Sequence, residues 1–303
     1  MGTIVVGVDG SPSAVNAVRW AAAEAASRDE TVRLVHAYEV PRHGYPDFVT
    51  TFARLREGMR HQGEQWLKEA RAAAEETAPG VAVETELVEN EPVTVLIDRS
   101  RRCRLVVLGS RGLGGFTGML VGSVALALAA HGRSPVVVVR GPRPNEPPPA
   151  EGRIVVGVDG SAPSTAALEF AFDTAHTRRG ELVVVRVWGG VSFDDLVSHH
   201  PLRVDLGEIE TQERTALDEQ VRPWRDRYPE VPVETVVVKG RPARMLLDHA
   251  ERAWLVVVGS RGREGIQGML LGSTSRTLLT HAPCPVAVVR RSPQGEESAD
   301  ATP

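Results

Sequence analysis

A chain of 303 residues, 42% of them hydrophobic, is long enough for two domains of about 150 residues with a core each. Its formal net charge of -4, with no long run of Lys or Arg, argues against nucleic acid as a main partner. Two cysteines, Cys103 and Cys284, at non-equivalent places supply neither a disulfide framework nor a metal set.

In chain order, Thr3 to Val8 is a continuous apolar run, as expected of a strand buried on both faces. Ser11-Pro12 opens an Ala-rich helix over Ser13 to Ser27, the Ser as cap and the Pro in the first turn. A second strand is predicted over Thr31 to Tyr38, then a variable loop through Pro41, His43, Gly44 and Pro46. A long amphipathic helix follows over Thr51 to Thr77, and a third strand over Val81 to Val88. Glu91 to Arg101 reads as a short helix with Pro92 in its first turn, and Arg104 to Leu108 as a fourth strand. Gly122 to His131 is predicted as the last helix and Val136 to Val139 as the last strand. Strands alternating with helices imply a parallel sheet covered on both faces, here in the order 3-2-1-4-5. That order leaves a crevice at the carboxyl ends of strands 1 and 4, where ligands of open α/β sheets bind.

The sequence then repeats itself. Ile4-Val-Val-Gly-Val-Asp-Gly-Ser11 recurs unchanged as Ile154 to Ser161. The same offset relates Gly109-Ser-Arg-Gly112 to Gly259-Ser-Arg-Gly262, Gly122-Ser123 to Gly272-Ser273, His131 to His281, and Pro135 to Pro285. A whole domain is duplicated: residues 1-141 and 152-291 are the copies, 142-151 a Pro-rich linker, and 292-303 a polar tail expected to be disordered. No basic leader or long apolar stretch is visible, so a cytoplasmic protein without membrane contact is expected.

The loop after strand 4 reads Gly-x2-Gly-x9-Gly-Ser in both copies. Glycines permit positive φ and let N-H groups converge as an anion nest. Gly122-Ser123 and Gly272-Ser273 stand at helix starts, where free N-H groups and the dipole favour a phosphate. No Gly-Lys-Ser/Thr loop is present, and strand 1 is followed by Asp-Gly-Ser rather than a dinucleotide fingerprint. Asp9 and Asp159, at the end of strand 1, are placed to accept from ribose hydroxyls or to hold Mg²⁺ beside phosphates, and also to cap the following helix. Arg111 and Arg261 are either phosphate donors or solvated loop residues. His131 and His281 suit a helix C-terminus, and His199-His200 lack a third ligand. No Ser-His-Asp or Cys-His set repeats between the copies.

With these motifs the chain resembles a tandem universal stress protein over residues 2 to 291. The resemblance implies two doubly wound five-stranded domains of the adenine-nucleotide α-hydrolase-like class that bind ATP in the crevice. Carried onto this sequence, Asp9 and the backbone around Ala37 would hold ribose and adenine, and Gly109, Gly112, Gly122 and Ser123 the phosphates. The second copy offers Asp159, Val187, Gly259, Gly262, Gly272 and Ser273, with Val187 larger than Ala37. The family also implies pairing of the two domains through Val136 to Val139 and Val286 to Val289, with homodimers possible and the protein partner unknown. A regulatory ATP-binding module with slow or absent hydrolysis is therefore expected. The alternative is a weak ATPase or nucleotidyl-transfer enzyme using Mg-ATP, and a further possibility is that one copy survives only as a structural partner.

Overall fold

The computed structural model describes residues 2–40, 49–113, 121–143, 145–189, 205–263 and 270–290, with the side chains of residues 49–52 left aside. The expected loop at Pro41 to Pro46, the pair His199-His200 and the expected disordered tail lie outside the described residues. The chain divides into two compact units, Met1–Pro148 and Pro149–Pro303.

In the first unit the elements are β1 (Thr3–Gly7), α1 (Pro12–Ala26), β2 (Thr31–Tyr38), α2 (Val49–Thr77), β3 (Val83–Glu89), α3 (Pro92–Arg99), β4 (Leu105–Gly109), α4 (Ser123–His131) and β5 (Val136–Val139). The second repeats them as β6 (Arg153–Val158), α5 (Ala162–Arg178), β7 (Leu182–Trp188), α6 (Leu206–Arg227), β8 (Val233–Lys239), α7 (Pro242–Ala250), β9 (Ala253–Gly259), α8 (Ser273–His281) and β10 (Val286–Val289). Every strand pair within a unit is parallel, in the orders β3-β2-β1-β4-β5 and β8-β7-β6-β9-β10. Both match the order expected from the alternation of strands and helices.

The central strand explains the order. Ile4, Val5 and Val6 are all buried because β1 has a strand on either side and helices over both faces. Burying each of these side chains stabilises the fold by about 1.5–3 kcal/mol. Helix α1 is buried around most of its surface, since it lies between the sheet and α2. Its alanines permit that close approach. Ser11 caps it, accepting from the Ala14 N–H, and Pro12 takes the first turn, where its missing donor costs nothing. Helix α3 begins at Pro92 because the Glu91 carboxylate accepts from the N–H groups of Val93 and Thr94, at 3.0 and 2.6 Å.

The copies differ beneath the sheet's edge. In the first unit the buried His36 Nδ1 meets the Val8 carbonyl at 2.6 Å, and a Cβ on Gly63 would stand 2.5 Å from the same ring. At the matching positions the second unit carries Arg186, buried, paired with Glu213. A ring over a glycine in one copy is thus an ion pair in the other. Among the described residues, no helix is long and apolar enough to cross a membrane.

Candidate functional site

Where β1 and β4 end, the chain leaves toward opposite sides of the sheet, and in the first unit a cavity of about 430 Å³ opens there. Gly7, Val8 and Asp9 form one side, with Val35 and Ala37 from β2. Pro92 and Leu96 of α3, Leu108 of β4 and Val121 complete an apolar wall. Gly109, Arg111, Gly112, Leu113, Gly122 and Ser123 form the polar rim. All six positions singled out in the first copy, Asp9, Ala37, Gly109, Gly112, Gly122 and Ser123, therefore line one space.

Asp9 ties the two loops of the crevice together. Its Oδ1 accepts from the Ser11 N–H at 3.0 Å and from the Ser11 hydroxyl at 2.6 Å, while Oδ2 accepts from the Leu113 N–H at 3.2 Å. Asp159 repeats the arrangement, with Oδ1 accepting from Ser161 N–H at 2.9 Å and Oδ2 from Arg263 N–H at 2.8 Å. Burial opposes the charge of Asp159, but the hydrogen bonds from Ser161 and the Arg263 backbone outweigh it and hold the carboxyl below the usual carboxylate range. Helix capping falls to Ser11 and Ser161, not to the aspartates.

Sequence reasoning expects positive φ at the loop glycines, and the structure differs. None of Gly109, Gly112, Gly122, Gly259, Gly262 or Gly272 has it; Gly10 and Gly160, each at φ 80°, do. What the loop glycines provide is close approach. A Cβ on Gly109 would stand 2.6 Å from the Ser13 carbonyl carbon, and one on Gly259 would stand 2.8 Å from that of Pro163. A Cβ on Gly112 would collide with Asp9 Oδ2, and one on Gly262 would lie 2.6 Å from Asp159 Oδ2. The second glycine of the motif is what lets the aspartate reach the loop. At Gly122 and Gly272 the nearest atoms would be 3.8 and 3.4 Å away, so the protein itself does not demand glycine there.

The anion nest is also placed differently. Arg111 N–H reaches Ser13 Oγ at 3.3 Å, Leu113 N–H is taken by Asp9, and Gly122 N–H donates to the Ser110 carbonyl at 2.8 Å. Among the described residues, the amides left for a ligand are the Gly112 N–H and those at the start of α4, whose cap, Gly122, makes no side-chain cap bond. Gly272 caps α8 in the same way. Ser123 and Ser273, both exposed, are the first residues of these helices, and His131 and His281 are the last. Arg111 lines the cavity, and among the described residues its guanidinium has no ion-pair partner. In the second unit Val187 holds the register position of Ala37, pairing with Val238 as Ala37 pairs with Val88.

Trp66 was not legible from sequence. It comes from the middle of α2, lines the cavity and lies against Gly10, with its ring edge on His36 at 5.1 Å between centroids. The one available signal was its replacement by Ala216 at the matching place in the second copy.

Comparison with known proteins agrees with this architecture. The model of the universal stress protein family matches residues 1–140 and again 152–290. One universal stress protein of Mycobacterium tuberculosis is 37% identical over 301 residues, covering 95% of this chain and 94% of the relative. Another from the same organism is 38% identical over 297 residues, covering 95% and 96%. The crystal structure of a universal stress protein from Archaeoglobus fulgidus superposes with a TM-score of 0.66 at 20% identity, covering 95% of this chain and 98% of that one, a likeness of fold. With two family matches and full-length relatives above 30% identity, this chain belongs to the universal stress protein family and carries its domain twice in tandem.

Proposed function

We propose that the protein binds ATP at the carboxyl ends of its central strands and acts as a stress-linked regulatory module rather than as a catalyst. The observation that carries this reading is the first-unit cavity. At about 430 Å³ it lies within the range of small-ligand sites, apolar along one side and ending at a helix start with no side-chain cap. An adenine ring suits the wall of Val35, Ala37, Leu96 and Trp66. The phosphates belong at Gly122 and Ser123, where a Cβ on Gly122 would fit the protein, with nothing nearer than 3.8 Å, but take up cavity room that a ligand needs.

Asp9 has limited capacity left for such a ligand. A carboxylate offers about four lone-pair sites, and the Ser11 N–H, Ser11 hydroxyl and Leu113 N–H already use three. One hydrogen bond to a ribose hydroxyl fits what remains. Alternatively, the same oxygen takes part in holding Mg²⁺, which keeps several waters and needs one or two carboxylates beside the phosphates. That second use is what a weak ATPase or nucleotidyl-transfer enzyme would require. Assembly of the chain into dimers belongs to the same proposal and is read by light scattering.

Calorimetric titration of the nucleotide-stripped protein with Mg-ATP tests the reading, with Gly122→Ala and Gly272→Ala as variants. The expected result is about two sites per chain, one weakened by each substitution. Absence of ATP uptake at millimolar concentration would overturn it. Steady ATP turnover by the wild type that is lost in Asp9→Asn and Asp159→Asn would favour the enzyme instead.

A further inference from the structure

The two crevices share their aspartate, their serine cap and their glycine frame, but not what lies against the positive-φ glycine after the central strand. In the first unit the indole of Trp66 lies against Gly10. In the second, Ala216 stands where Trp66 would be and is too short to reach. The guanidinium of Arg263 takes that place, with Nη2 2.7 Å from where a Cβ on Gly160 would stand. The first unit has Leu113, 58% exposed, at the position of Arg263. The root of Arg263 is fixed, since its N–H donates to Asp159 Oδ2 at 2.8 Å. Among the described residues its guanidinium has no carboxylate partner, and Arg263 is exposed beside the loop that follows β6. One copy therefore presents an aromatic face, and the other a cation, at equivalent points.

Resting on the nucleotide reading, we infer that the two sites have different ligand preferences, set by Trp66 and Arg263. The first site adds base stacking on Trp66 to the phosphate contacts at the start of α4, so its affinity depends less on the number of phosphates. The second lacks that stacking and carries a cation in its place, so charge weighs more in its affinity and it prefers the triphosphate. Stacking of a base on an aromatic ring is insensitive to what lies at the far end of the nucleotide. A guanidinium–phosphate contact is charge-assisted, grows with phosphate charge and is weakened by salt. Val187 in place of Ala37 works in the same direction, because its two extra methyl groups reduce the room for a base in the second copy. A chain with both sites responds to total adenine nucleotide through one unit and to its phosphorylation state through the other.

The test is equilibrium titration of the full chain with ATP and with AMP at low and at physiological salt, for wild type, Trp66→Ala, Trp66→Phe, Arg263→Leu and the Trp66→Ala/Arg263→Leu double variant. In the wild type, one class of site should discriminate little between ATP and AMP, and a second should prefer ATP more strongly and in a salt-sensitive way. Trp66→Ala should weaken the first class about tenfold for both nucleotides, with Trp66→Phe restoring most of it. Arg263→Leu should weaken ATP at the second class about fivefold, weaken AMP less and reduce the salt dependence. The double variant should show both losses independently. If the wild type binds nucleotide but both substitutions act on the same class, or neither changes affinity, the inference fails while the nucleotide reading stands. If the wild type binds neither nucleotide, both fail.

Discussion

The three glycines of each motif have separable roles, and alanine substitution resolves them. At Gly109 an added Cβ would stand 2.6 Å from the Ser13 carbonyl carbon and 2.7 Å from its oxygen. Ordinary carbon–carbon contact begins at about 3.5 Å, so β4 and the start of α1 must separate by almost 1 Å. Ser13 cannot yield freely, because its hydroxyl donates to the Arg111 carbonyl. Overpacking of this kind costs about 1–3 kcal/mol, offset in part by the smaller unfolded-state entropy of alanine, about 0.4–1 kcal/mol. A net loss of about 1.3 kcal/mol is expected, equivalent to about 3–5 °C in melting temperature for a unit of this size. At Gly259 the nearest atoms of Pro163 lie at 2.8 and 3.0 Å, so the matching substitution should cost about half as much. Gly122→Ala meets nothing nearer than 3.8 Å and should stay within about 1 kcal/mol of wild type while weakening nucleotide binding. Heat and urea unfolding of the full chain, followed by circular dichroism, gives the ranking. If Gly109→Ala proves as stable as Gly122→Ala, the close-approach account of the motif is wrong.

Two further outcomes follow from buried charge. Glu213→Ala removes the partner of Arg186, which is 5% exposed, and leaves the Gln220 Oε1, 3.5 Å from Nη1, as a weak remaining acceptor; a loss of about 3 kcal/mol in urea unfolding is expected, and a near-neutral result would mean that the guanidinium escapes to water. The Asp159 carboxyl is held below its ordinary value of about 3.9, so the stability it contributes is complete above that pH and disappears as the pH falls through the lower folded-state value. Asp159→Asn should therefore be less stable than wild type at neutral pH, with the gap narrowing below about pH 4; a gap constant with pH would refute the assignment.

Repetition made most of the fold legible. Uninterrupted apolar strands alternating with helices required a covered parallel sheet, and handedness then placed β1 at its centre. Element ends moved by a residue or two, as with β3, which starts at Val83 rather than Val81, and α3, which ends at Arg99 rather than Arg101. The pattern of Asp, Ser and Gly shared by the copies also marks the two loops that line the first-unit cavity. What it could not convey was why the glycines are there, because steric clearance depends on atoms far away in sequence: Ser13 for Gly109, Asp9 for Gly112. Trp66 was hidden for the same reason. A tryptophan within an amphipathic helix reads as one more apolar residue until the helix is set against Gly10. The exchange of His36 and Gly63 for Arg186 and Glu213 needed two elements to be juxtaposed before it meant anything.

The strap from Asp9 to Leu113, like that from Asp159 to Arg263, joins residues 104 positions apart. Such a bond cannot form until most of a unit has left the ribosome, so neither crevice exists on a short nascent chain. At about 5–20 residues per second, with units folding in order of synthesis, the second copy's strap closes about 8–30 s after the first. During that interval a growing polypeptide already owns a complete first crevice, and nucleotide captured there would stabilise the half that is finished while the other half is still being made.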